Sequence, residues 1–288
     1  MANFNLPDTL VSAAWLRQHL GEADLVIFDA SWHMPASGRD GAAEWAQEHI
    51  PGARFFDFDR RICDPQSDLP HMMPSAEIFT RETQALGLNH DSRVVVYDAQ
   101  GMFSSPRAWW MLRAMGFANA GVLDGGLPAW KAAGYALESA AESAAYPRGN
   151  FVAEFRADLI VDARQVLAAL DDRACAVLDA RPAPRFNGEA EEPRAGLRRG
   201  HMPGALNLPF PDLFCGGLLK SKSELVQIFK PLIAGRQRTL CSCGSGVTAC
   251  VLAFAADYAG FEGLAIYDGS WCEWGLPGDL PVVGQDAG

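Results

Sequence analysis

The sequence predicts an α/β fold made of two tandem domains, each a mainly parallel sheet with helices on both faces. Three observations predict it: the chain repeats one series of landmarks, short apolar runs alternate with helix patterns in each half, and the composition suits a sizeable core. Hydrophobic residues make up 49% of the 288 residues and charged residues 20%, which is ordinary for a globular protein. A chain of this length has room for two domains of common size.

The repeat consists of four landmarks that recur in the same order at a nearly constant offset. They are an apolar run ending in Asp-Ala, a His-x-Pro-Gly-Ala turn, a β-branched strand, and an apolar-Asp-Gly turn with a Trp close behind. Their positions in the two halves are 25–30 and 176–180, 49–53 and 201–205, 94–97 and 239–242, and 123–125 and 267–269. Chance similarity does not keep order and spacing in this way.

A linker divides the two halves. Residues 137–150 are rich in Ala, Ser, Glu, Pro and Gly and lack the periodicity of a buried element. We therefore assign the first domain to residues 1–138, the linker to 139–152 and the second domain to 153–288.

Helix-start signals stand at matching places in the two halves. Ser12 can cap a helix that Gly21 ends, and Asp162 can cap a helix bearing Val166 and Leu170. The apolar runs between helices are those of strands buried on both faces. Because such strands joined through helices form βαβ units, we expect a parallel sheet in each half.

Charge and hydropathy exclude several classes of partner. The net charge of -11 and the pI of about 5.0 oppose binding to nucleic acid and to anionic lipid. No apolar run approaches the roughly 20 residues of a membrane span, and residues 1–10 resemble neither a secretory signal nor a transit peptide. These features predict a cytoplasmic protein whose anionic substrate, if it has one, needs a local cationic patch.

The seven cysteines predict free thiols rather than a disulfide framework, because their number is odd, their spacing is irregular and the chain is large. Cys241 and Cys243 form a Cys-x-Cys pair without a second ligand pair nearby, which argues against zinc. We expect no metal and no cofactor. A redox role for Cys241 stays open.

Cys243 is the candidate nucleophile. It follows the strand 239–242, opens a loop that reads Cys-Gly-Ser-Gly-Val-Thr, and precedes the helix pattern 249–258. Ligands of open α/β sheets bind at such carboxyl ends of strands. Gly244 and Gly246 let the loop curl so that backbone N–H groups point at one place, and the helix that follows adds positive potential. Both effects favour a thiolate that can carry a second sulfur.

The alternative for Cys243 is a buried, inert cysteine, which is the commonest role of a free Cys. The repeat favours the nucleophile, because the first half has Asp98 at the matching position. A phosphatase is excluded, since Cys-x5-Arg enzymes need an arginine where this chain has Ala249.

The two-domain repeat, the His-x-Pro-Gly-Ala turns and the six-residue loop after a strand resemble the rhodanese-like sulfurtransferases over almost the whole chain. The loop looks like that of the branch that uses 3-mercaptopyruvate, whereas thiosulfate rhodaneses carry an Arg-Lys pair after the cysteine. The resemblance implies a catalytically silent first domain and a persulfide on Cys243. It also implies substrate contacts from Gly244, Gly246, Val247 and Thr248.

Arg185 and Arg194 supply the cationic patch, and arginine binds a carboxylate bidentately. The resemblance implies that these two arginines bind the carboxylate and the carbonyl of the donor. The alternative is that they pair on a solvated loop with Glu189, Glu191 and Glu192.

The resemblance also implies a proton relay of Ser245, His71 and Asp59, in which the aspartate orients the histidine and the histidine orients the serine. Asp57 or Asp64 could take the place of Asp59. The alternative for His71 is a surface residue in a turn.

Other prominent side chains are interpreted as structural. His49 and His201 stand in matched turns, which favours a role in the fold. Four tryptophans are assigned to the core or a domain interface: Trp109, Trp110, Trp271 and Trp274.

The implied reaction moves sulfur from 3-mercaptopyruvate through Cys243 to a thiol acceptor such as thioredoxin or a small thiol, or to cyanide, and releases pyruvate. One rival is a thiosulfate:cyanide sulfurtransferase, which the neutral loop disfavours. The other is a non-catalytic rhodanese-like binding module, in which the cysteine would be absent or blocked.

Overall fold

The computed structural model describes residues 6–139 and 146–284 and divides into two compact units, each with one parallel five-stranded sheet flanked by helices. The first unit comprises Met1–Pro65 and Met73–Arg156, and the second comprises Gln66–Met72 and Ala157–Gly288. The α/β class and the tandem arrangement predicted from the sequence are confirmed.

The described residues of the first unit form ten strands and α-helices, besides a short 3-10 helix at Pro35–Ser37. In chain order they are β1 (Leu10–Val11), α1 (Ala13–His19), β2 (Leu25–Asp29), α2 (Gly41–Gln47), β3 (Ala53–Phe55), α3 (Ala76–Ala85), β4 (Arg93–Tyr97), α4 (Ser105–Ala114), β5 (Ala120–Leu123) and α5 (Gly126–Ala132). Its strands lie in the order β1-β5-β4-β2-β3, and neighbouring strands run parallel.

The second unit repeats this plan and adds a short hairpin. Its elements are β6 (Ile160–Val161), α6 (Ala163–Leu170), β7 (Cys175–Asp179), α7 (Ala183–Phe186), β8 (Leu206–Asn207), β9 (Phe214–Cys215), β10 (Leu218–Leu219), α8 (Lys222–Ile233), β11 (Arg238–Ser242), α9 (Ala249–Tyr258), β12 (Leu264–Tyr267) and α10 (Ser270–Trp274). The sheet order β6-β12-β11-β7-β8 is that of the first unit, strand for strand. The hairpin β9–β10 is antiparallel.

The division of the chain falls between Arg156 and Ala157. Of the linker predicted at 139–152, residues 140–145 lie outside the described residues. The predicted boundaries therefore stay a prediction.

Local signals account for the helix starts. The Ser12 hydroxyl accepts the N–H of Trp15 at 3.2 Å, at the N-cap of α1. Asp162 forms a capping box with Gln165 at the start of α6. Both predicted caps are confirmed, and Gly21, with a φ of 83°, lies in the turn after α1.

Large aromatic side chains fill the cores. The four tryptophans assigned to packing are each 1% exposed or less: Trp109, Trp110, Trp271 and Trp274. The two histidines of the matched turns are also bound into their units. His49 stacks on Trp45 with Nδ1 2.7 Å from the Trp45 carbonyl, and His201 stacks on Phe186 with Nδ1 2.8 Å from the Phe186 carbonyl. These contacts fit a structural role for both histidines.

The topology of the second unit determines where a site can form. β11 lies in the middle of the sheet, between β7 and β12, and Ser242 at its end is in register with Asp179 of β7. Because parallel strands end at one edge of a sheet, the residues that follow these strands lie close together there. They include Cys243 after β11, Arg181 after β7 and Ser270 after β12.

Within the part of the chain that the structure describes, no helix is both long and apolar enough to cross a membrane. Across the same residues, no group of three or more His, Cys, Asp or Glu side chains is arranged to hold a metal ion. The seven cysteines all lie in the described ranges, and none of them is in a disulfide.

Candidate active site

Cys243 begins the loop that joins β11 to α9, and it is 2% exposed. Its N–H donates to the Ser270 hydroxyl oxygen at 3.2 Å, and its carbonyl accepts the N–H of Trp271 at 3.0 Å. Both bonds hold the backbone of the residue. The candidate nucleophile is therefore fixed by the turn that follows β12.

Ser270 is the centre of this turn. Its hydroxyl oxygen also accepts the N–H of Gly246 at 3.1 Å, and the hydroxyl donates to the Tyr267 carbonyl at 2.8 Å. A further bond joins the Cys272 N–H to the Gly244 carbonyl at 2.8 Å. Ser270 has a φ of 48°, a left-handed conformation that costs a non-glycine residue about 1–3 kcal/mol. Sequence reasoning did not single out Ser270, although it directly follows the repeated Asp-Gly landmark.

Four amides of the loop have no acceptor within residues 6–139 and 146–284, namely those of Gly244, Ser245, Val247 and Thr248. Gly246 adopts a φ of 76°, which lets the loop curl. Unengaged N–H groups in one tight loop at the start of a helix favour a bound anion.

The first unit provides an internal comparison for this loop. Asp98 follows β4, and its carboxylate accepts the N–H groups of Gln100, Gly101, Ser104 and Ser105 at 2.8, 2.9, 3.0 and 2.8 Å. The Ser105 hydroxyl donates to it as well, at 2.7 Å, and Asp98 is 1% exposed. A loop of this type thus binds an anion through its amides. The Cys243 loop has a thiol in place of that carboxylate.

Replacing Asp98 by Ala is expected to lower the free energy of unfolding of the first unit by about 3 kcal/mol or more, because four N–H groups, three of them on buried residues, lose a charged acceptor. Urea unfolding followed by tryptophan fluorescence measures the change. Asp98→Asn keeps one acceptor oxygen and should lose less, and Asp91→Ala, at an exposed site, serves as the control. An Asp98→Ala variant as stable as this control would contradict the view that the loop amides bind and stabilise the Asp98 carboxylate.

A chain of charged side chains runs from the end of β7 to the Cys243 loop. Arg181 donates to Asp179 at 2.7 Å and to Glu192 at 2.9 Å, and these three side chains are 1–2% exposed. Glu192 also accepts from Nε of Arg185 at 3.1 Å. A Cβ added to Gly244 would lie 3.2 Å from Nη2 of Arg185. The Arg185 guanidinium therefore lies against the loop of the candidate nucleophile.

Arg194 differs from Arg185 in its partners. No hydrogen bond or ion pair involves the Arg194 guanidinium in the described part of the chain, and the residue is half-buried. Burial raises the pKa of the Cys272 thiol to about 11, and the cations of Arg194 and Arg185 oppose that rise. Both arginines thus lie within electrostatic reach of α10. The pairing considered as an alternative occurs at Arg185, through Glu192, and not at Arg194.

Two further predicted residues, Ser245 and His71, are buried at 5% and 4% exposure. His71 lies in Gln66–Met72, a segment that groups with the second unit although its flanking residues belong to the first. Its φ of 63° is left-handed. His71 is therefore not a surface residue, and its segment belongs to the same unit as Cys243.

Asp59 belongs to the first unit, where its side chain is 35% exposed with Nε of Arg60 at 3.9 Å. The alternative acid Asp57 accepts the N–H groups of Asp59 and Arg60, and burial raises its pKa. The relay of a serine, a histidine and an aspartate stays a prediction.

Cys241 lies two residues before Cys243, in β11, and is fully buried. That burial raises the pKa of its thiol far above the usual range. The neighbouring Cys250 thiol donates to the Gly246 carbonyl at 3.2 Å. At neutral pH the Cys241 thiol is therefore protonated and a poor nucleophile.

Comparison with known proteins gives matches over both units. The rhodanese-like domain family model matches residues 12–133 and 162–276. The 3-mercaptopyruvate sulfurtransferase of Escherichia coli K12 is 43% identical over 281 residues, which cover 94% of this chain and 96% of the relative. The mitochondrial thiosulfate/3-mercaptopyruvate sulfurtransferase 1 of Arabidopsis thaliana is 40% identical over 303 residues, which cover 96% of this chain and 78% of the relative.

A solved structure is similar in fold as well. The crystal structure of a 3-mercaptopyruvate sulfurtransferase with the rhodanese fold, from Escherichia coli, has a TM-score of 0.82 to this chain at 40% identity. The match covers 92% of this chain and 99% of that one.

Proposed function

The chain belongs to the rhodanese family of sulfurtransferases, and on that premise we propose that it moves sulfur from 3-mercaptopyruvate through a persulfide on Cys243 to a thiol or cyanide acceptor. Pyruvate is the other product. The observation that carries the proposal is the Cys243 loop, which places a cysteine at the end of a central strand beside four amides that have no acceptor among the described residues. Such a loop stabilises a sulfur anion.

In the first half-reaction the Cys243 thiolate attacks the sulfur of the donor. The S–S bond forms as the carbon–sulfur bond of 3-mercaptopyruvate breaks, and the electron pair of that bond remains on carbon as the enolate of pyruvate. Ser245 gives the enolate the proton that converts it to pyruvate, and His71, oriented by Asp59, replaces the proton that the serine gives up. The loop amides hold the negative charge of the persulfide.

Arg185 and Arg194 hold the carboxylate and the ketone of the donor. A guanidinium fork matches a carboxylate through two parallel hydrogen bonds. The position of Arg185 against Gly244, and the lack of an ion pair at Arg194 among the described residues, support this assignment. The loop adds backbone contacts from Gly244, Gly246, Val247 and Thr248.

In the second half-reaction the acceptor attacks the outer sulfur of the persulfide. The S–S bond breaks, the acceptor takes that sulfur, and Cys243 leaves as a thiolate ready for the next donor. Thioredoxin, a small thiol or cyanide can serve. We place this cycle in the cytoplasm, where thiols of this kind are kept reduced.

A comparison of donors tests the proposal against its rivals. Thiocyanate formation from cyanide is measured with 3-mercaptopyruvate and with thiosulfate under identical conditions, together with pyruvate release. We expect kcat/KM for 3-mercaptopyruvate to exceed that for thiosulfate by at least about tenfold, because no cation follows Cys243 in the loop to neutralise a dianion. A preference for thiosulfate would establish the first rival, and activity with neither donor would favour the binding module.

A further inference from the structure

Glu192 lies at the centre of the charge chain behind the Cys243 loop. Its carboxylate is 2% exposed, and each oxygen binds a different arginine. Oε1 accepts from Nη1 of Arg181 at 2.9 Å, and Oε2 accepts from Nε and Nη2 of Arg185. The carboxylate is therefore held from both sides, inside the protein.

Arg181 anchors this carboxylate and is itself immobile. Its guanidinium, 1% exposed, binds both carboxylate oxygens of Asp179, donates to the Gly200 carbonyl at 2.8 Å and lies 4.0 Å from the ring centroid of Trp271. The backbone N–H of Trp271 in turn donates to the Cys243 carbonyl. The position of Glu192 is thus tied both to the end of β7 and to the nucleophile.

Arg185 is the most exposed of the four connected charged side chains, with 20% of its side chain accessible. Glu192 takes the edge formed by Nε and Nη2, and it is the partner of Arg185 in the described residues. The Nη1 side of the fork is left for a donor carboxylate. Glu192 thereby leaves the Nη1 edge of the guanidinium as the one open to a carboxylate.

The charges of the four connected side chains sum to zero, because Asp179 and Glu192 are balanced by Arg181 and Arg185. Arg194, with no ion pair among the described residues, adds one net positive charge. 3-Mercaptopyruvate is a monoanion at neutral pH because its thiol is mostly protonated, whereas thiosulfate is a dianion. The single positive charge of these five side chains, with the Cys243 thiolate not counted, is the charge that a monoanion neutralises.

We propose that Glu192 is a specificity-determining residue that positions Arg185 and cancels one positive charge, and that it thereby shifts the ratio of activities towards a monoanionic and away from a dianionic sulfur donor. The inference rests on the proposed function for the identity of the donors. It does not depend on which donor the wild-type protein prefers, since it predicts a change in their ratio.

Glu192→Gln tests the inference, with Glu191→Gln as the matched control. The control removes the same charge from the adjacent residue, but the Glu191 side chain is 81% exposed and pairs with Arg199 at 3.2 Å. We expect Glu192→Gln to lower the ratio of kcat/KM for 3-mercaptopyruvate to that for thiosulfate by at least about tenfold, through a higher KM for the first donor and an equal or lower KM for the second. Glu191→Gln should change the ratio by less than about twofold.

Glu192→Asp separates charge from position and serves if the Gln variant fails to fold. It keeps the negative charge but shortens the reach to Arg185, so the KM for 3-mercaptopyruvate should rise while thiosulfate gains nothing. A ratio in Glu192→Gln equal to that of Glu191→Gln, or a gain for thiosulfate in Glu192→Asp, would overturn the inference. A wild-type preference for thiosulfate would instead refute the proposed function, and the ratio between the two Gln variants would still report on Glu192.

Discussion

Replacing Cys243 by Ser is expected to lower the rate of sulfur transfer from 3-mercaptopyruvate by at least about 1,000-fold without unfolding the protein. A serine hydroxyl does not ionise at neutral pH and forms no persulfide. The fold should survive because the hydrogen bonds of Cys243 run through its N–H and its carbonyl, which the substitution keeps. Pyruvate release measures the loss, and thermal melting checks the fold.

Cys215→Ser is the matched control for that experiment, since Cys215 is an exposed thiol in the same unit. This variant should keep wild-type turnover. Retained turnover in Cys243→Ser would contradict the account, whatever the control shows.

The substitution Arg194→Lys is expected to raise the KM for 3-mercaptopyruvate by about 10- to 100-fold while changing the KM for thiosulfate by much less. Lysine keeps the positive charge, so the attraction of a dianion is preserved. It lacks the planar fork that binds a carboxylate at two points. The variant therefore separates hydrogen-bond geometry from net charge, and steady-state kinetics with both donors measure the two effects.

Arg199→Lys is the control for this second prediction. Arg199 is 36% exposed and pairs with Glu191, a residue outside the proposed site, so the KM values of the Arg199→Lys variant should not change. Equal effects of Arg194→Lys on both donors would indicate that Arg194 shapes its segment and does not bind the carboxylate.

The fold was predictable from the sequence because its signals are local and occur twice. The caps at Ser12 and Asp162, and the strands before Asp98 and Cys243, depend on residues that are neighbours in the chain. The same strand order in both sheets follows from the repeated landmarks. The loop at Cys243 was predictable for the same reason, since a strand, two glycines and a helix pattern are consecutive.

The surroundings of that loop were not predictable, because they depend on contacts between distant segments. Ser270 binds the N–H of a residue 27 positions away, and Glu192 joins two arginines 11 and 7 positions away. Nothing in the spacing of these residues distinguishes them from ordinary polar residues in a loop. The sequence offers only the alternative of a solvated loop in which Arg185 pairs with Glu189, Glu191 and Glu192, whereas the Glu192 side chain is buried and also binds Arg181.

The role of Asp98 is a further point at which the structure goes beyond the sequence prediction. The sequence identified it as the residue in the place of the nucleophile, but not as an anion bound by the amides of its own loop. The position of His71 also required the structure, because its segment groups with the second unit while its chain neighbours belong to the first.

Mass spectrometry of the intact protein after incubation with 3-mercaptopyruvate, in the absence of an acceptor, tests the central claim most directly. We expect a mass increase of one sulfur atom that maps to the peptide containing Cys243, disappears on addition of a thiol or cyanide, and is absent in Cys243→Ser. Stoichiometric pyruvate should accompany it. Pyruvate release without added sulfur on the protein, or a sulfur adduct on another cysteine, would contradict the claim that Cys243 carries the sulfur.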